Sequence, residues 1–222
     1  MKKKIFYRVL VFIFVLSIPL SCQKKEVENV KKVKGNKLSR ENPIIVDRKV
    51  GKVLIYTEVN GRYFTKPTRH GIVFKDGKNG NRSILRAYIN QHDFNLALRG
   101  IGLKPGNNVT LDSEEGTIVK GDALKVTVTW DGADRNYDWG EIVKSEPDKG
   151  WEIRYGGNDE REQKKRTGCI LCLDSCAVGI TSNARWGWKS FDRGKVKFYG
   201  NPEILPKDGT PVYVTFSKKE AG

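Results

Sequence analysis

Leu124, Val126, Val128 and Trp130 alternate without exception with Lys125, Thr127 and Thr129. Wound as a helix, this run would scatter its apolar residues around the axis. As a strand it presents one apolar and one polar face. Val212-Tyr-Val-Thr-Phe216 and Lys195-Val-Lys-Phe-Tyr199 follow the same rule. Val50–Val59, Gly71–Phe74, Ile84–Ile89 and Trp151–Tyr155 are further strands by their β-branched and aromatic content. Turn chemistry separates them, at Asp131-Gly132, Asp208-Gly209, Gly200-Asn201-Pro202 and the run Lys75 to Gly80. One segment has helical spacing: Phe94, Ala97, Leu98 and Ile101 recur every three to four residues. Asn90 and Asp93 can cap its start, and Gly100 or Gly102 can end it. There is no internal repeat and no strand–helix alternation. The expectation is a mainly β (α+β) body: an antiparallel β-sandwich or open barrel with one or two short helices, as a single domain over residues 43–222.

The front of the chain does not belong to that body. Lys2, Lys3 and Lys4 precede an apolar stretch whose uninterrupted part, Val9 to Leu16, is 8 residues long. That is too short to cross a hydrocarbon layer of about 30 Å and fits the apolar region of a secretory signal over residues 1–21. Ser21-Cys22 resembles the end of a bacterial lipobox, with Pro19 where that motif usually carries Leu. The resemblance implies cleavage before Cys22, lipidation of its thiol and a membrane-anchored protein of the cell envelope, facing the periplasm or the exterior. The signal has no Arg-Arg pair, so the chain is expected to cross unfolded, without a preassembled cofactor.

Charge supports this division. Through Arg40 there are 11 basic residues against 2 acidic; from Glu41 onward, 30 against 24. Residues 22–42 read as a Lys-rich, solvated tether whose sharper role is contact with anionic lipid headgroups. The basic isoelectric point therefore comes largely from the signal and tether, which argues against a nucleic-acid partner.

Chemistry concentrates in the segment Thr167 to Gly179, where Cys169, Cys172 and Cys176 are spaced C-x2-C-x3-C. Four readings compete. The run matches the last three cysteines of a ferredoxin iron–sulfur motif, with Arg166 where the first would stand. It offers three soft ligands for zinc, with His70 or His92 available as a fourth from elsewhere in the chain. Cys169 and Cys172 form a C-x-x-C pair suited to thiol–disulfide exchange. Or the cysteines staple a loop through one disulfide. With Cys22 lipidated the remaining three are odd in number, so they cannot all pair internally. The first three readings suit electron or thiol exchange with an envelope partner. The last suits a non-catalytic binding or structural lipoprotein.

Further stretches carry a resemblance. Arg69-His70-Gly71-Ile-Val-Phe-Lys75, Gly102-Leu-Lys-Pro105-Gly106, Gly121 to Trp130, Arg154-Tyr-Gly-Gly157-Asn158, Thr167 to Ala184 and Asp208 to Val212 are similar to the YdjY-domain family of exported bacterial proteins. The similarity covers roughly residues 62–216, and Thr167 to Ala184 is its most specific part. It implies export and an important cysteine segment. Members are often lipoproteins, and some are labelled ferredoxin-like. It does not choose among cluster, zinc and disulfide. His70, ahead of a strand, and Arg154, beside Gly156-Gly157-Asn158, are auxiliary site candidates. Trp130 and Trp151 read as core, and Trp186-Gly-Trp188 as a surface feature. No spacing signals a hydrolase: there are two histidines and no recognisable triad or carboxylate pair.

Overall fold

The computed structural model describes residues 36–220 together with the short strand Lys32–Val33. The expected signal peptide and Cys22 lie outside the described residues. In chain order the strands are β1 (Lys32–Val33), β2 (Asn36–Lys37), β3 (Ile44–Asp47), β4 (Lys52–Val59), β5 (His70–Phe74), β6 (Ser83–Ala87), β7 (Ala123–Trp130), β8 (Tyr137–Asp138), β9 (Val143–Glu146), β10 (Ile153–Tyr155), β11 (Cys169–Cys172), β12 (Thr181–Asn183), β13 (Lys197–Gly200) and β14 (Pro211–Lys218). Three short helices, α1 (Gln91–Gly100), α2 (Trp139–Ile142) and α3 (Asp159–Lys165), accompany them.

The mainly β expectation is met by a barrel. Its strands run β10-β12-β11-β5-β6-β4-β14-β7, and β7 returns to β10 through Leu124↔Ile153 and Ala123↔Arg154. This closure leaves none of these eight strands as an edge. Most pairings are antiparallel; β5–β6 and β11–β12 are parallel. Strand β3 pairs with β4, β8 with β7, and β9 with β13 beside the barrel.

The alternation read in β7 holds: Leu124, Val126, Val128 and Trp130 are all buried in the main core. They share it with Val53, Ile55 and Val59 of β4 and with Val212, Val214 and Phe216 of β14. Helix α1 begins where its cap residue predicts, with the Asn90 side chain accepting the Asp93 N–H at 2.9 Å. Its Phe94 meets Phe216 edge to face at 4.8 Å. Helix α3 escaped the sequence reading because it has no apolar stripe; its one buried side chain is Glu162.

The other face of β4 carries Leu54 and Tyr56, which pack with Leu38, Ile45 and Tyr213. The buried Glu58 carboxylate accepts from Arg40 Nε at 2.7 Å, Tyr56 Oη at 3.0 Å and Tyr88 Oη at 2.8 Å. Packing on the body thus starts as early as Leu38, within the stretch read as tether. A third cluster lies on the outer side of β5 and β11. It gathers Val73, Val109, Val119, Ala177, Ala184 and Trp188 around all three cysteines of the motif.

Candidate metal centre

In a regular strand, residues three apart point to opposite faces. Cys169 and Cys172 would then be separated by the sheet. Strand β11 avoids this because its register against β5 shifts twice, between Cys169 and Leu171 and between Leu171 and Cys172. Ile170 and Leu171 turn into the main core, and both thiols turn outward into the third cluster. His70, at the start of β5, is the cross-strand partner of Cys172. Its neighbour is glycine for a steric reason: a Cβ at Gly71 would stand 2.8 Å from both Leu171 Cδ2 and Trp139 Cζ2.

Two strands therefore deliver one imidazole and two thiols to one point. The donor atoms of His70, Cys169 and Cys172 all lie within 4.8 Å of one another, a group that can hold a metal ion. His70 Nδ1 is 3.6 Å from Cys169 Sγ. Asn79 Nδ2 approaches the same sulfur at 3.9 Å. Cys176 packs in the same buried cluster but sits outside the three-donor group. All three cysteines are free thiols, 0%, 0% and 4% exposed in chain order.

The thiols are polarised. The hydrogen bond from Cys172 pulls the Cys169 thiol well below the ordinary range against the opposing effect of burial, and His70 adds to the pull. The same contact, together with Cys176 and burial, pushes Cys172 well above it. A cation stands behind them: Arg69 donates to the fully buried Asp174 at 2.9 Å and to Asp192 at 2.6 Å, and lies over the Trp188 ring at 5.4 Å. Burial works against the Arg69 charge. Asp174, Cys176, Cys172 and Asp192 outweigh it and hold its pKa above the usual value.

Side chains fix every turn of the cysteine loop. Asn158 Nδ2 donates to the Cys176 and Gly179 carbonyls at 2.8 and 3.0 Å, and Arg161 holds the Ala177 and Val109 carbonyls, each at 2.8 Å. Ser175 Oγ accepts the Val119 N–H at 3.0 Å, and Asn183 Nδ2 donates to the Leu173 carbonyl at 3.2 Å. Glu162 Oε1 accepts from Thr167 Oγ1 at 2.8 Å and from the Gly168 and Cys169 N–H groups, which sets the entry to β11. Burial raises the Glu162 carboxyl pKa against these bonds. Its Oε2, Ser182 Oγ and Trp188 Nε1 are buried without a partner.

Gly179 closes on the site. A Cβ there would stand 2.9 Å from both Cys172 Sγ and Ser182 Oγ. Gly179→Ala is expected to displace the Cys172 sulfur and weaken metal binding on the order of ten-fold, a cost of about 1–3 kcal/mol for an inserted methyl. Metal titration alongside circular dichroism checks this, with the far-ultraviolet spectrum unchanged.

The sequence candidates fare differently. His70 joins Cys169 and Cys172. Arg154 is engaged elsewhere, with Glu152 Oε1 at 2.6 Å and the Gly121 carbonyl at 3.0 Å. His92 pairs with Asp159 at 2.9 Å and is not among the donors. Trp186 and Trp188, expected at the surface, are buried, because Gly187 lets their segment pack directly on the Gly116 backbone. Trp130 is buried as expected, and Trp151 is partly so, packed against the main core. Asn158, Arg161 and Glu162 were missed because they lie in a polar, charged run whose pattern carries no mark of burial. Asp174, inside the cysteine motif, carried a usable signal, since an acid between soft ligands needs a cation.

Softness of the donors favours Zn(II) or Cu(I) over hard cations. Tetrahedral thiolates around zinc stand about 3.8 Å apart, given a Zn–S distance of about 2.3 Å. A spread within 4.8 Å matches one such ion. Two protein ligands on one iron of a [2Fe–2S] centre stand equally close, so the spacing fits that group as well as a single ion.

Comparison with known proteins places the chain. The YdjY domain matches residues 44–217. Over 190 residues the chain is 43% identical to the protein named "Uncharacterized protein YdjY" of Escherichia coli (strain K12), covering 85% of this chain and 84% of that one. No solved structure matches. The chain belongs to the YdjY-domain family.

Proposed function

We propose that this protein is an exported, lipid-anchored envelope protein whose β-barrel body holds one thiophilic metal ion at Cys169, Cys172 and His70. Cys176, buried in the same cluster, is the candidate fourth ligand, and the ion serves electron or metal exchange with an envelope protein. The observation that carries the metal reading is the double register shift of β11, which brings two thiols and an imidazole from separate strands within 4.8 Å. Export, the anchor at Cys22 and a membrane-facing location rest on the signal-like residues 1–21 and the lipobox resemblance. Thiol ligands bind after losing their protons, so exported apoprotein can load outside the cytoplasm.

A second reading, thiol–disulfide exchange, draws on the polarised pair, a low Cys169 and a high Cys172. Burial of all three sulfurs weighs against it, because reactive thiols are partly exposed. The deciding experiment is anaerobic purification followed by metal analysis and thiol counting with and without reductant. One equivalent of zinc or copper, with thiols that become titratable when it is chelated, supports the metal centre. Iron with inorganic sulfide would replace the single ion by a cluster. A metal-free protein that takes up none and gains two thiols on reduction would transfer the site to redox chemistry.

A further inference from the structure

Among the described residues four large apolar side chains stand exposed, and two of them, Val50 at 61% and Leu96 at 51%, belong to one end of the barrel. Val50 sits at the apex of the β3–β4 turn, between Lys49 and Lys52. The last residue of α1 lies against that turn: a Cβ on Gly100 would stand 3.6 Å from Arg48 Nε. Leu96 is four residues earlier on α1 and therefore on the same side as Gly100. A shallow cleft between turn and helix is lined by Val50, Lys52, Ile101, Lys218 and Lys219, among others. Ser217 of β14 pairs with Lys52 on one side and Lys125 on the other, so the lysines of three neighbouring strands finish at this end.

The charge here is one-sided. Arg48, Lys49, Lys52, Arg99, Lys218 and Lys219 are all exposed. The acidic residues at this end are Asp47, Asp93, Glu220 and Asp122, the last held by Lys218 at 3.7 Å. With Lys125 that is seven basic residues against four acidic ones, compared with 30 against 24 for the chain from Glu41 onward. Exposed apolar residues ringed by Lys and Arg form the pattern of a surface that lies in a lipid headgroup layer. The length of chain ahead of the body fits that occupant. The 13 residues between Cys22 and Asn36 span at most about 50 Å when fully extended, so an anchor at Cys22 holds the body within about that distance of the bilayer.

We propose that this end of the barrel docks on an anionic lipid surface, with Val50 and Leu96 entering the headgroup layer and the surrounding basic side chains pairing with lipid phosphates. The proposal deepens the membrane reading above and rests on it for its biological setting. The docking itself is a property of the body.

The test uses the chain from Gln23 to Gly222, which keeps every described residue and lacks the anchor. Its co-sedimentation is measured with phosphatidylcholine vesicles with and without phosphatidylglycerol. Binding is expected only with phosphatidylglycerol, and it should weaken as salt rises. The triple variant Lys49→Glu, Lys52→Glu, Lys219→Glu should lose about five-fold in partition for each side chain, with its melting curve unchanged. Val50→Asp should also reduce partition. Lys24→Glu, Lys25→Glu, Lys31→Glu in the segment ahead of the body is the comparison. If that variant loses binding while the body triple keeps it, or if phosphatidylglycerol makes no difference to the parent chain, docking by the barrel end is overturned. The mass of the mature protein from cells tests the anchor separately: absent acyl chains with vesicle binding intact would remove the lipoprotein reading and leave the docking surface standing.

Discussion

Cys172→Ser is expected to lower metal affinity by more than about 100-fold, beyond the 10–100-fold typical of residues that only support ligands. Cys172 is one of the two sulfurs of the three-donor group. It is the cross-strand partner of His70, and its sulfur lies within 4.8 Å of the Cys169 sulfur and of a His70 ring nitrogen. Serine keeps the shape and removes the soft donor. Cys169→Ser should match it, and Cys176→Ser should cost less, because Cys176 lies outside the three-donor group. The measurement is competition against a chromophoric chelator, with melting curves recorded in the absence and presence of zinc. The parent should gain stability from the metal in proportion to the logarithm of its excess over Kd. The Cys172→Ser protein should melt at the same temperature with or without zinc. Equal affinity in the serine variant and the parent would sink the assignment of these donors.

Arg69→Ala should destabilise the protein by about 3–5 kcal/mol, the cost of leaving a buried charge without its partner. For a domain of this size that is on the order of 10 °C in melting temperature. The side chain removed is 15% exposed, and the Asp174 carboxylate left behind is 0% exposed. Burial already pushes the Asp174 carboxyl pKa up, and Arg69 is the main force opposing it. Without Arg69 the folded-state pKa climbs further above the unfolded one. The folded protein then binds the proton more tightly than the unfolded chain, so stability falls as pH rises through the raised value and is recovered by acidification. The variant's deficit relative to the parent should therefore shrink toward acid pH, as denaturant titrations at several pH values would show. Asp174→Asn in the Arg69→Ala background should remove that pH dependence. A deficit that stays constant with pH would mean that lost packing against Trp188, not the unpaired carboxylate, explains the loss.

Much of the barrel was legible because its strands alternate apolar and polar residues at a period no helix can use. Leu124 to Trp130 and Val212 to Phe216 pack as written, and α1 begins at the asparagine that can cap it. Closure was not legible. It depends on the pairing of Ala123 and Leu124 with Arg154 and Ile153, four residues with no local feature that marks them as a seam. The parallel pairs β5–β6 and β11–β12 were hidden for the same reason. Helix α3 was invisible because its buried face is a single glutamate, and burial of an acid is decided by the donors it finds: here Thr167, Gly168 and Cys169 from the next segment.

For the site, the sequence by itself determined which atoms are available: three sulfurs within eight residues, and His70 on a strand. It left cluster, zinc, disulfide exchange and staple open, with zinc the least favoured, since spacing along the chain does not say which way a side chain points. The tertiary structure decided that. Two register shifts in β11 turn Cys169 and Cys172 to one face, and Gly71 lets β5 come close enough to present His70 beside them. Arg69 and Asp174, 105 residues apart in the chain, pin the loop that carries Cys176. A bulge is settled by how two strands fit against the core behind them, and that fit exists only once the barrel has closed.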